Sequence, residues 1–309
     1  MRKASKYFLI PALAIMTLAG CSNEDTDTEV TNRQDTPDFT ATIADVQTRA
    51  FDQSWESGDE IGISGANRTN VCYHTESGNG NFAVKKYGDQ IYFQHDGATA
   101  FTAYYPWNNL NGGATTIEAD TRAQANQKRF DFLWAQASGK KEFPKVAFTF
   151  AHKMAKVSLT VKPGNGMSYD EAKKARLSLN GFRHTGSFNV TDGNTTVKDG
   201  SEAWTFTNFA HFNDAERTVT FSFIFFPQTL NKLEFLAELE LAGSNMHSLR
   251  AEIDFTAANR EKDGPAAKNE WVAGRQYNLS VTLNKTDITE VECAINPWNE
   301  VKGDEIIVD

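Results

Sequence analysis

The sequence predicts an all-β protein built from two antiparallel β-sandwich domains in tandem. From residue 39 onward, apolar residues recur with a period of two, as expected for strands with one face in a core and the other in water. Gly, Asn, Asp and Pro residues that favour turns separate these stretches. Only one short segment has a convincing helix signal, which excludes a parallel sheet made of βαβ units.

The alternating pattern is clearest in the C-terminal half. Strands are predicted there at 157–161, 219–225, 233–241, 249–255 and 277–283. In the stretch 233–241, for example, Leu, Phe and Ala residues alternate with Glu residues, which is typical of a strand that is buried on one face only. We therefore expect an antiparallel sandwich in this half.

The N-terminal half is less regular, and we predict a second β-sandwich there. Its candidate strands lie at 60–63, 81–84, 90–93, 100–105 and 145–150. The single connecting helix is predicted at 169–176, because Ser168 and Glu171 match the S-x-x-E capping box. With a boundary near Ala151, the N-terminal domain covers 39–150 and the C-terminal domain 151–309.

The first 20 residues have the features of a secretory signal peptide. Basic residues precede an apolar run at 7–18 and small residues that end at Gly20. The run is about a dozen residues, whereas a spanning helix needs roughly 20. Cys21 follows, and this arrangement resembles the lipobox of bacterial lipoproteins, which implies cleavage between Gly20 and Cys21 and attachment of fatty acyl chains such as palmitate to Cys21. Several chains would form a stable membrane anchor.

Residues 21–38 are rich in Asn, Asp, Glu and Thr and are predicted to be an acidic disordered tether. Their start, at 21–25, resembles the acidic export signal that sends lipoproteins of the Bacteroides group to the outside of the outer membrane. An ordinary acidic linker is the alternative. The expected location is therefore the cell surface, attached to the outer membrane.

Composition excludes some classes of function. The net charge is −9 and no basic patch is present, which argues against nucleic-acid binding. The content of 40% hydrophobic residues is ample for a globular core. Cys72 and Cys293 could form a disulfide after export, but spacing does not fix a pairing, and two separate thiols are favoured.

The sequence contains no catalytic constellation, so we predict a protein that is not an enzyme and has no cofactor or metal site. The six histidines lack zinc-ligand spacing, and no nucleophile elbow, Walker loop or dinucleotide fingerprint occurs. Two distant carboxylates could still meet, as glycoside hydrolysis requires. Most acidic residues, however, alternate with apolar residues on predicted strands, which is typical of a solvated face.

Aromatic residues could form a carbohydrate-binding platform if they were exposed. The candidates are Trp55, Tyr104, Tyr105, Trp107, Trp134, Trp204 and Trp298. Because aromatic side chains commonly fill sandwich cores, a core position is the favoured interpretation for them. The alternative function that they suggest is a cell-surface glycan-binding lipoprotein that does not polymerise.

Several motifs, taken together and in order, resemble the fimbrillin family of Bacteroides-type bacteria. They are WESGDEIG at 55–62, FTFAHKMAKV at 148–157, FPQ at 226–228, WVAGRQYNL at 271–279 with LN at 283–284, and INPW at 295–298. The resemblance covers residues 39–309. It implies a type V pilin-like protein with two transthyretin-like domains, exported as a lipoprotein and cut after an arginine by a trypsin-like protease. The matching site is Arg49–Ala50, and Arg33 in the tether is less favoured.

Cleavage there would act on the strand that precedes Arg49. Phe39, Ala41 and Ile43 alternate with polar residues, which predicts an edge strand of the N-terminal sandwich. Its departure would open a groove for a strand from another subunit, and such head-to-tail contacts build a filament. The expected donor is the C-terminal segment with Ile306 and Val308.

The C-terminal segment has an alternative role, and more than one class of partner is expected. The segment 299–309 could instead be the last strand of the subunit's own sandwich, which would make the protein a tip or accessory subunit and not the shaft. The expected partners are other fimbrial subunits and the outer membrane, with glycans or proteins of host or bacterial surfaces as further candidates.

Overall fold

The structure is a computed structural model that describes residues 35–44, 54–200, 204–205, 210–230, 233–241, 245–253 and 270–298. These residues belong to one compact unit. Strands dominate it, and the described residues contain one α-helix, so the all-β prediction is confirmed. The two halves of this unit are built differently.

The first half is a closed barrel. Its elements are β1 (Asp38–Ile43), β2 (Glu60–Gly65), β3 (Arg68–His74), β4 (Asn81–Val84), β5 (Thr99–Tyr105), β6 (Thr116–Asp120), β7 (Leu133–Gly139) and β8 (Lys145–His152), with 3₁₀ turns at Asn111–Gly113 and Gln124–Arg129. Seven of these strands close in the order β1-β4-β3-β2-β5-β7-β8. Two transthyretin-like sandwiches in tandem are thus not confirmed, because the first sheet closes on itself.

The second half contains two facing sheets. Its elements are β9 (Ala155–Pro163), α1 (Tyr169–Lys174), β10 (Arg176–Asn180), β11 (Thr185–Asn189), β12 (Thr195–Val197), β13 (Trp204–Thr205), β14 (Ala210–Asn213), β15 (Thr218–Phe225), β16 (Gln228–Thr229), β17 (Leu233–Leu241), β18 (Asn245–Ile253), β19 (Glu270–Trp271), β20 (Arg275–Leu283) and β21 (Ile288–Pro297). The sheets have the orders β14-β15-β9-β20-β21 and β13-β10-β17-β18, and one core lies between them.

The predicted strands of the second half are confirmed over the described residues, which end at 253 in the predicted strand 249–255, and the capping box is confirmed as well. Ser168 Oγ accepts a hydrogen bond from the Glu171 amide at 3.2 Å, and the Glu171 carboxylate accepts one from the Ser168 amide at 2.9 Å. The helix ends earlier than predicted because Ala175 adopts an extended conformation. In the first half, β2, β4, β5 and β8 match predicted strands.

The predicted strand at 90–93 is wrong. The Ile91 amide donates to the Tyr73 hydroxyl at 3.0 Å, and the Phe93 amide donates to the Asp35 carbonyl at 2.8 Å. This segment therefore crosses the end of the barrel with its apolar side chains buried but without a neighbouring strand. Burial of two alternating side chains is not sufficient to make a strand, which also requires a backbone partner.

A third cluster of buried side chains joins the two halves. Strand β6 from the first half pairs with β11 of the second, in a small sheet of order β12-β11-β6. Buried residues from both halves pack beside it, including Phe132, Phe188 and Trp298. The domain limits at 39–150 and 151–309 stay a prediction, although β8 ends and β9 begins close to that boundary.

Cys72 lies in β3 and Cys293 in β21, in different halves, and no disulfide joins these two residues. Burial raises the pKa of the Cys72 thiol to about 12, so this thiol is protonated at neutral pH. Among the described residues, no helix is long and apolar enough to cross a membrane.

Candidate functional site

The candidate site is strand β1 with the groove that holds it. β1 pairs in parallel with β8 along its whole length, from Asp38 opposite Lys145 to Ile43 opposite Phe150. On its other side it pairs with β4 at Phe39 and Thr40. The prediction of an edge strand is therefore wrong: because the sheet closes into a barrel, β1 has a neighbour on each side, and the pairing with β8 is the longer one.

The alternating face of β1 points into the barrel core, as its sequence predicts. Phe39, Ala41 and Ile43 are 1%, 4% and 6% exposed. The Phe39 ring contacts the Tyr73 ring edge to face, with ring centroids 5.0 Å apart, and stacks on Phe148 at 5.8 Å. Complete burial of a Phe or Ile side chain contributes about 1.5–3 kcal/mol, so Phe39 and Ile43 add substantially to the backbone pairing that holds the strand.

Trp55 covers the far end of β1. Its indole N–H donates to the Ala41 carbonyl at 2.9 Å, and its ring lies 5.2 Å from the Phe150 ring. The tight turn that follows places it there: the Glu56 amide donates to an Asp59 carboxylate oxygen at 2.7 Å, and Gly58 has a φ of +87°. The segment 55–59, which we name the clasp, thus covers β1 and does not form an exposed binding surface.

Polar contacts hold the clasp at Glu56 and Asp59. The Tyr105 hydroxyl donates to Asp59 at 3.2 Å, and burial raises the pKa of this phenol, which keeps it neutral. The Lys128 ammonium forms an ion pair with Glu56 and lies 3.8 Å from Asp59. The 3₁₀ turn that contains Lys128 therefore holds the clasp from outside.

Gly80 is a site residue that the sequence did not reveal. The Ala41 amide donates to the Gly80 carbonyl at 2.8 Å, and a Cβ atom on Gly80 would lie 2.4 Å from the Ala41 carbonyl oxygen. Its φ of +79° also favours glycine. The turn SGNG at 77–80 signals glycine conformations, but the approach to Ala41 depends on a contact between distant segments.

Removal of β1 would leave a groove with two kinds of unsatisfied groups. Backbone groups of β8 between Lys145 and Phe150 would lose their partners, and the aromatic pocket around Phe39 would be open. Unpaired backbone groups and apolar pockets together recognise an extended strand. The other predicted site residues, Gly20, Cys21, Arg49, Ala50, Ile306 and Val308, lie outside the described residues.

The groove is attached to the second half at the end of β8. The His152 ring stacks on Trp298 with centroids 4.0 Å apart, and His152 Nδ1 lies 2.9 Å from an Asp131 carboxylate oxygen. Gln124 adds a second link, because its amide donates to the Ile224 carbonyl at 2.9 Å and accepts from the Ile224 amide at 3.0 Å. This side chain replaces a neighbouring strand at the edge of β15, beyond the end of β14.

The candidate carbohydrate platform is not assembled. Four of its members are buried: Trp55, Tyr104, Tyr105 and Trp298. Trp107 and Trp134 are half-buried, and their indole N–H groups donate to the Asn70 carbonyl at 3.4 Å and the Val190 carbonyl at 3.0 Å. The side chain of Trp204 lies outside the described residues. The core interpretation is confirmed for the four buried residues.

Comparisons with known proteins agree with this architecture. The "Putative fimbrium subunit Fim1C" of Bacteroides uniformis is 29% identical over 96% of this chain and 97% of its own length. A "putative cell adhesion protein" from B. uniformis has a similar crystal structure, with 26% identity, a TM-score of 0.65, and coverage of 85% of this chain and 99% of its own. A protein of the same description from B. ovatus, 24% identical, has a TM-score of 0.66 over 87% of this chain and 99% of its own.

A family model described as fimbrillin-like matches residues 48–298. The match includes the Trp55 clasp, strand β8 and the Trp298 stack. It therefore covers both halves of the described unit, except for β1 and the residues beside it, and the cluster that joins them. The chain belongs to the fimbrillin-like family.

Proposed function

We propose that this protein is a structural or accessory subunit of surface fimbriae that assembles by strand exchange after cleavage at Arg49. The observation that carries the proposal is the position of β1, which lies between β8 and β4 and is joined to the rest of the barrel through the segment that contains Arg49. A cut there separates β1 from the barrel covalently without removing any other described strand.

The cut changes how β1 is held. In the intact chain a released β1 returns quickly, because its covalent connection to β2 keeps its effective concentration at the groove near the millimolar range. In the cut chain the strand has only non-covalent contacts to hold it, namely its backbone bonds, the burial of its apolar side chains, the bond from Trp55 and the contact of Asp35 with Lys141. Once it diffuses away, the groove is available to another strand.

The donor that we propose is the C-terminal segment of a second subunit, with Ile306 and Val308 as the apolar side chains. Backbone bonds to β8 supply affinity, and the alternate side chains supply register. The contact is head-to-tail, so each added subunit presents a new groove and the assembly grows as a filament.

Export completes the proposal. A signal peptide at 1–20 and acylation of Cys21 would take the precursor to the outer membrane and anchor it, and the acidic tether would present it at the surface. The names of the relatives, a fimbrium subunit and a cell adhesion protein, support a fimbrial or adhesive role at the cell surface.

The test is cleavage of purified protein that carries Cys21→Ser, with a trypsin-like protease. We expect protein with the wild-type Arg49 to form polymers that appear on gels as ladders and resist mild denaturant. The Arg49→Gln variant should stay monomeric under the same treatment. Arg33→Gln is the matched control and should behave like the wild type. A protein that remains monomeric after mass spectrometry confirms the cut at Arg49 would contradict polymerisation.

The cellular form of the protein gives a second test. N-terminal sequencing of material from the cell surface should yield Ala50 for a processed subunit. Acylated Cys21 would instead identify an anchor subunit or a plain lipoprotein. The non-polymerising glycan binder receives little support, because the six candidate aromatic residues whose side chains are described are buried or bonded to the backbone.

A further inference from the structure

One end of the barrel, which we name the distal pole, carries three exposed aromatic side chains. The pole consists of the loops 85–98 and 140–144. Tyr87 is 81% exposed, Phe143 62% and Tyr92 42%. Most other aromatic side chains of the described barrel are buried, so this end has a different surface chemistry from the rest of the half.

The strand order locates this pole relative to the groove. Asp38 at the start of β1 lies opposite Lys145 at the start of β8, directly after the loop that contains Phe143. β4 runs antiparallel to β1 and ends at the same pole, ahead of the loop that contains Tyr87. The groove therefore begins at the distal pole.

The opposite end of the groove is occupied by the protein's own second half. β8 ends there at His152, whose ring stacks on Trp298. Just beyond β8, the Met154 carbonyl accepts a hydrogen bond from the Gly274 amide of the second half at 2.8 Å. A neighbouring subunit centred at this end would overlap the second half, whereas the distal pole faces away from it.

We propose that the distal pole is the surface on which the body of the neighbouring subunit sits, and that the donor strand enters the groove there and runs parallel to β8. This inference rests on the proposed strand exchange. A C-terminal donor strand follows its own body in sequence, so a body at the distal pole requires the strand to start there. That is the direction of β1.

Processing would also change the pole itself. Before the cut, the Asp35 carbonyl accepts from the Phe93 amide at 2.8 Å, and the Asp35 carboxylate lies 3.3 Å from Lys141. The Asp38 amide donates to the Pro144 carbonyl at 2.9 Å. All of these contacts leave with β1, so both loops of the pole lose partners at the moment when the groove opens.

One carboxylate of the donor takes the place of one that is removed. Loss of Asp35 and Asp38 takes two carboxylates from beside Lys141 in the pole and Lys145 at the start of β8. In the donor segment, Glu305 comes directly before Ile306, as Asp38 comes directly before Phe39, whereas Lys302 falls at the place of Asp35. With Ile306 in the place of Phe39, Glu305 takes the place of Asp38 opposite Lys145.

The first experiment separates groove opening from docking of the body. A peptide of residues 299–309 is titrated into protein that has been cut at Arg49 and freed of β1. Binding of this peptide requires the groove but not the body of a neighbouring subunit. Failure of the wild type to bind it would contradict the proposed function itself.

The second experiment compares the polymerisation rates of whole cut subunits, wild type and variant. For the double variant Tyr87→Ala and Phe143→Ala, we expect peptide binding within twofold of wild type and polymerisation slowed about tenfold, as loss of about 1.4 kcal/mol of interface energy implies. Phe212→Ala is the control, because Phe212 is 48% exposed in β14 of the other half and should have no effect. Wild-type polymerisation by the double variant would overturn the inference. The inference would also be overturned if the double variant polymerised normally but was no longer retarded in affinity gels that contain polysaccharides. That result would assign the pole to glycan binding.

Strand direction has its own test. In a background without the other cysteines, Glu305→Cys in one subunit is combined with Lys145→Cys or Thr149→Cys in the other. A parallel donor cross-links to position 145. Cross-linking at 149, or at neither position, would contradict the proposed direction.

Discussion

Each half of the molecule contains one parallel strand pair in an otherwise antiparallel arrangement, and the two pairs differ in how they are held. β9 and β20 pair along Gln276–Leu283, and each also has a long antiparallel neighbour, β15 and β21 respectively. β1 pairs with β8 along Asp38–Ile43, but with β4 only at Phe39 and Thr40. The parallel pair of the second half is fixed on both sides, whereas β1 is fixed mainly on one.

This difference makes β1 the strand that we expect to be released most easily. Local opening is easiest where few backbone bonds and few buried side chains must be broken together. β1 is short, lies before the other described strands in the chain, and depends on three buried side chains, whereas β9 and β20 lie in the middle of a sheet. This difference in pairing is the physical basis for the proposed release of β1.

The largest effect is expected from Phe39→Ala. Truncation of a fully buried Phe side chain costs about 3–5 kcal/mol of the free energy of unfolding. After cleavage at Arg49, the same loss should speed the release of β1 and hence polymerisation by more than tenfold. Urea denaturation measures the first quantity, and gel analysis of ladders over time measures the second.

The matched variant is Phe223→Ala in the second half. Phe223 is 0% exposed and lies in β15, so we expect a similar loss of stability. It does not contact β1, so polymerisation after cleavage should keep its wild-type rate. Equal acceleration by both variants would show that general destabilisation, and not the hold on β1, sets the rate.

The sequence predicts the faces of β1 but not its neighbours. Alternation of Phe39, Ala41 and Ile43 indicates which side is buried, because side chains on a strand point to opposite faces in turn. Pairing with β8 is a contact across more than 100 residues, and nothing in a period of two selects that partner. The error about the edge position follows from this limit, since an edge and an interior strand of a barrel have the same pattern.

The same limit applies to the residues around β1. Trp55 is conspicuous in the sequence, but its role depends on a hydrogen bond to Ala41 that only the folded chain creates. By contrast, the capping box of Ser168 and Glu171 is local, and the sequence predicts it together with the start of the helix. Local signals therefore transfer from sequence to structure, and signals that require distant partners do not.

The next effect concerns the link between the two halves. Gln124→Ala removes both hydrogen bonds to Ile224 and leaves a buried amide and a buried carbonyl without these partners, at a cost of about 1–3 kcal/mol each. We expect the two halves to lose cooperativity, so that one unfolding transition becomes two. Calorimetry measures this directly.

Gln127→Ala is the control for that link. Gln127 is partly buried, and its side chain donates to the Ser222 carbonyl at 2.7 Å and to Gln124 Oε1 at 2.9 Å, so its removal leaves both bonds between Gln124 and Ile224 in place. Its loss should lower stability less and leave a single transition. If both variants unfold in one step, the cluster around Phe132 and Trp298 is sufficient to couple the halves.

A smaller effect is expected from Gly80→Ala, with Gly88→Ala as its control. Both glycines have a positive φ, +79° and +92°, so both substitutions carry a backbone cost of about 1–2 kcal/mol. A Cβ at position 88 meets nothing within 4 Å, whereas one at position 80 collides with the Ala41 carbonyl. The difference between the two variants in hydrogen exchange at β1 reports this close approach, and equal exchange would contradict its importance.

The smallest effect on stability is expected from removal of the charge of Glu171, in the connection that follows β9. After β1 the chain continues into the segment with the proposed cleavage site, whereas after β9 it continues into α1. In α1, backbone hydrogen bonding at Ser168 lowers the pKa of Glu171 to about 2. A carboxylate whose pKa is lower in the folded state stabilises the fold above its ordinary pKa of about 4.5, and this contribution is lost as the pH falls toward 2.

Glu171→Gln retains the shape of the cap but not its charge. Its midpoint of thermal unfolding should lie below that of the wild type at pH 6, with the gap closing by about pH 2. A gap that is constant with pH would show that the charge of Glu171 does not stabilise the connection, and that the packing of α1 holds it instead.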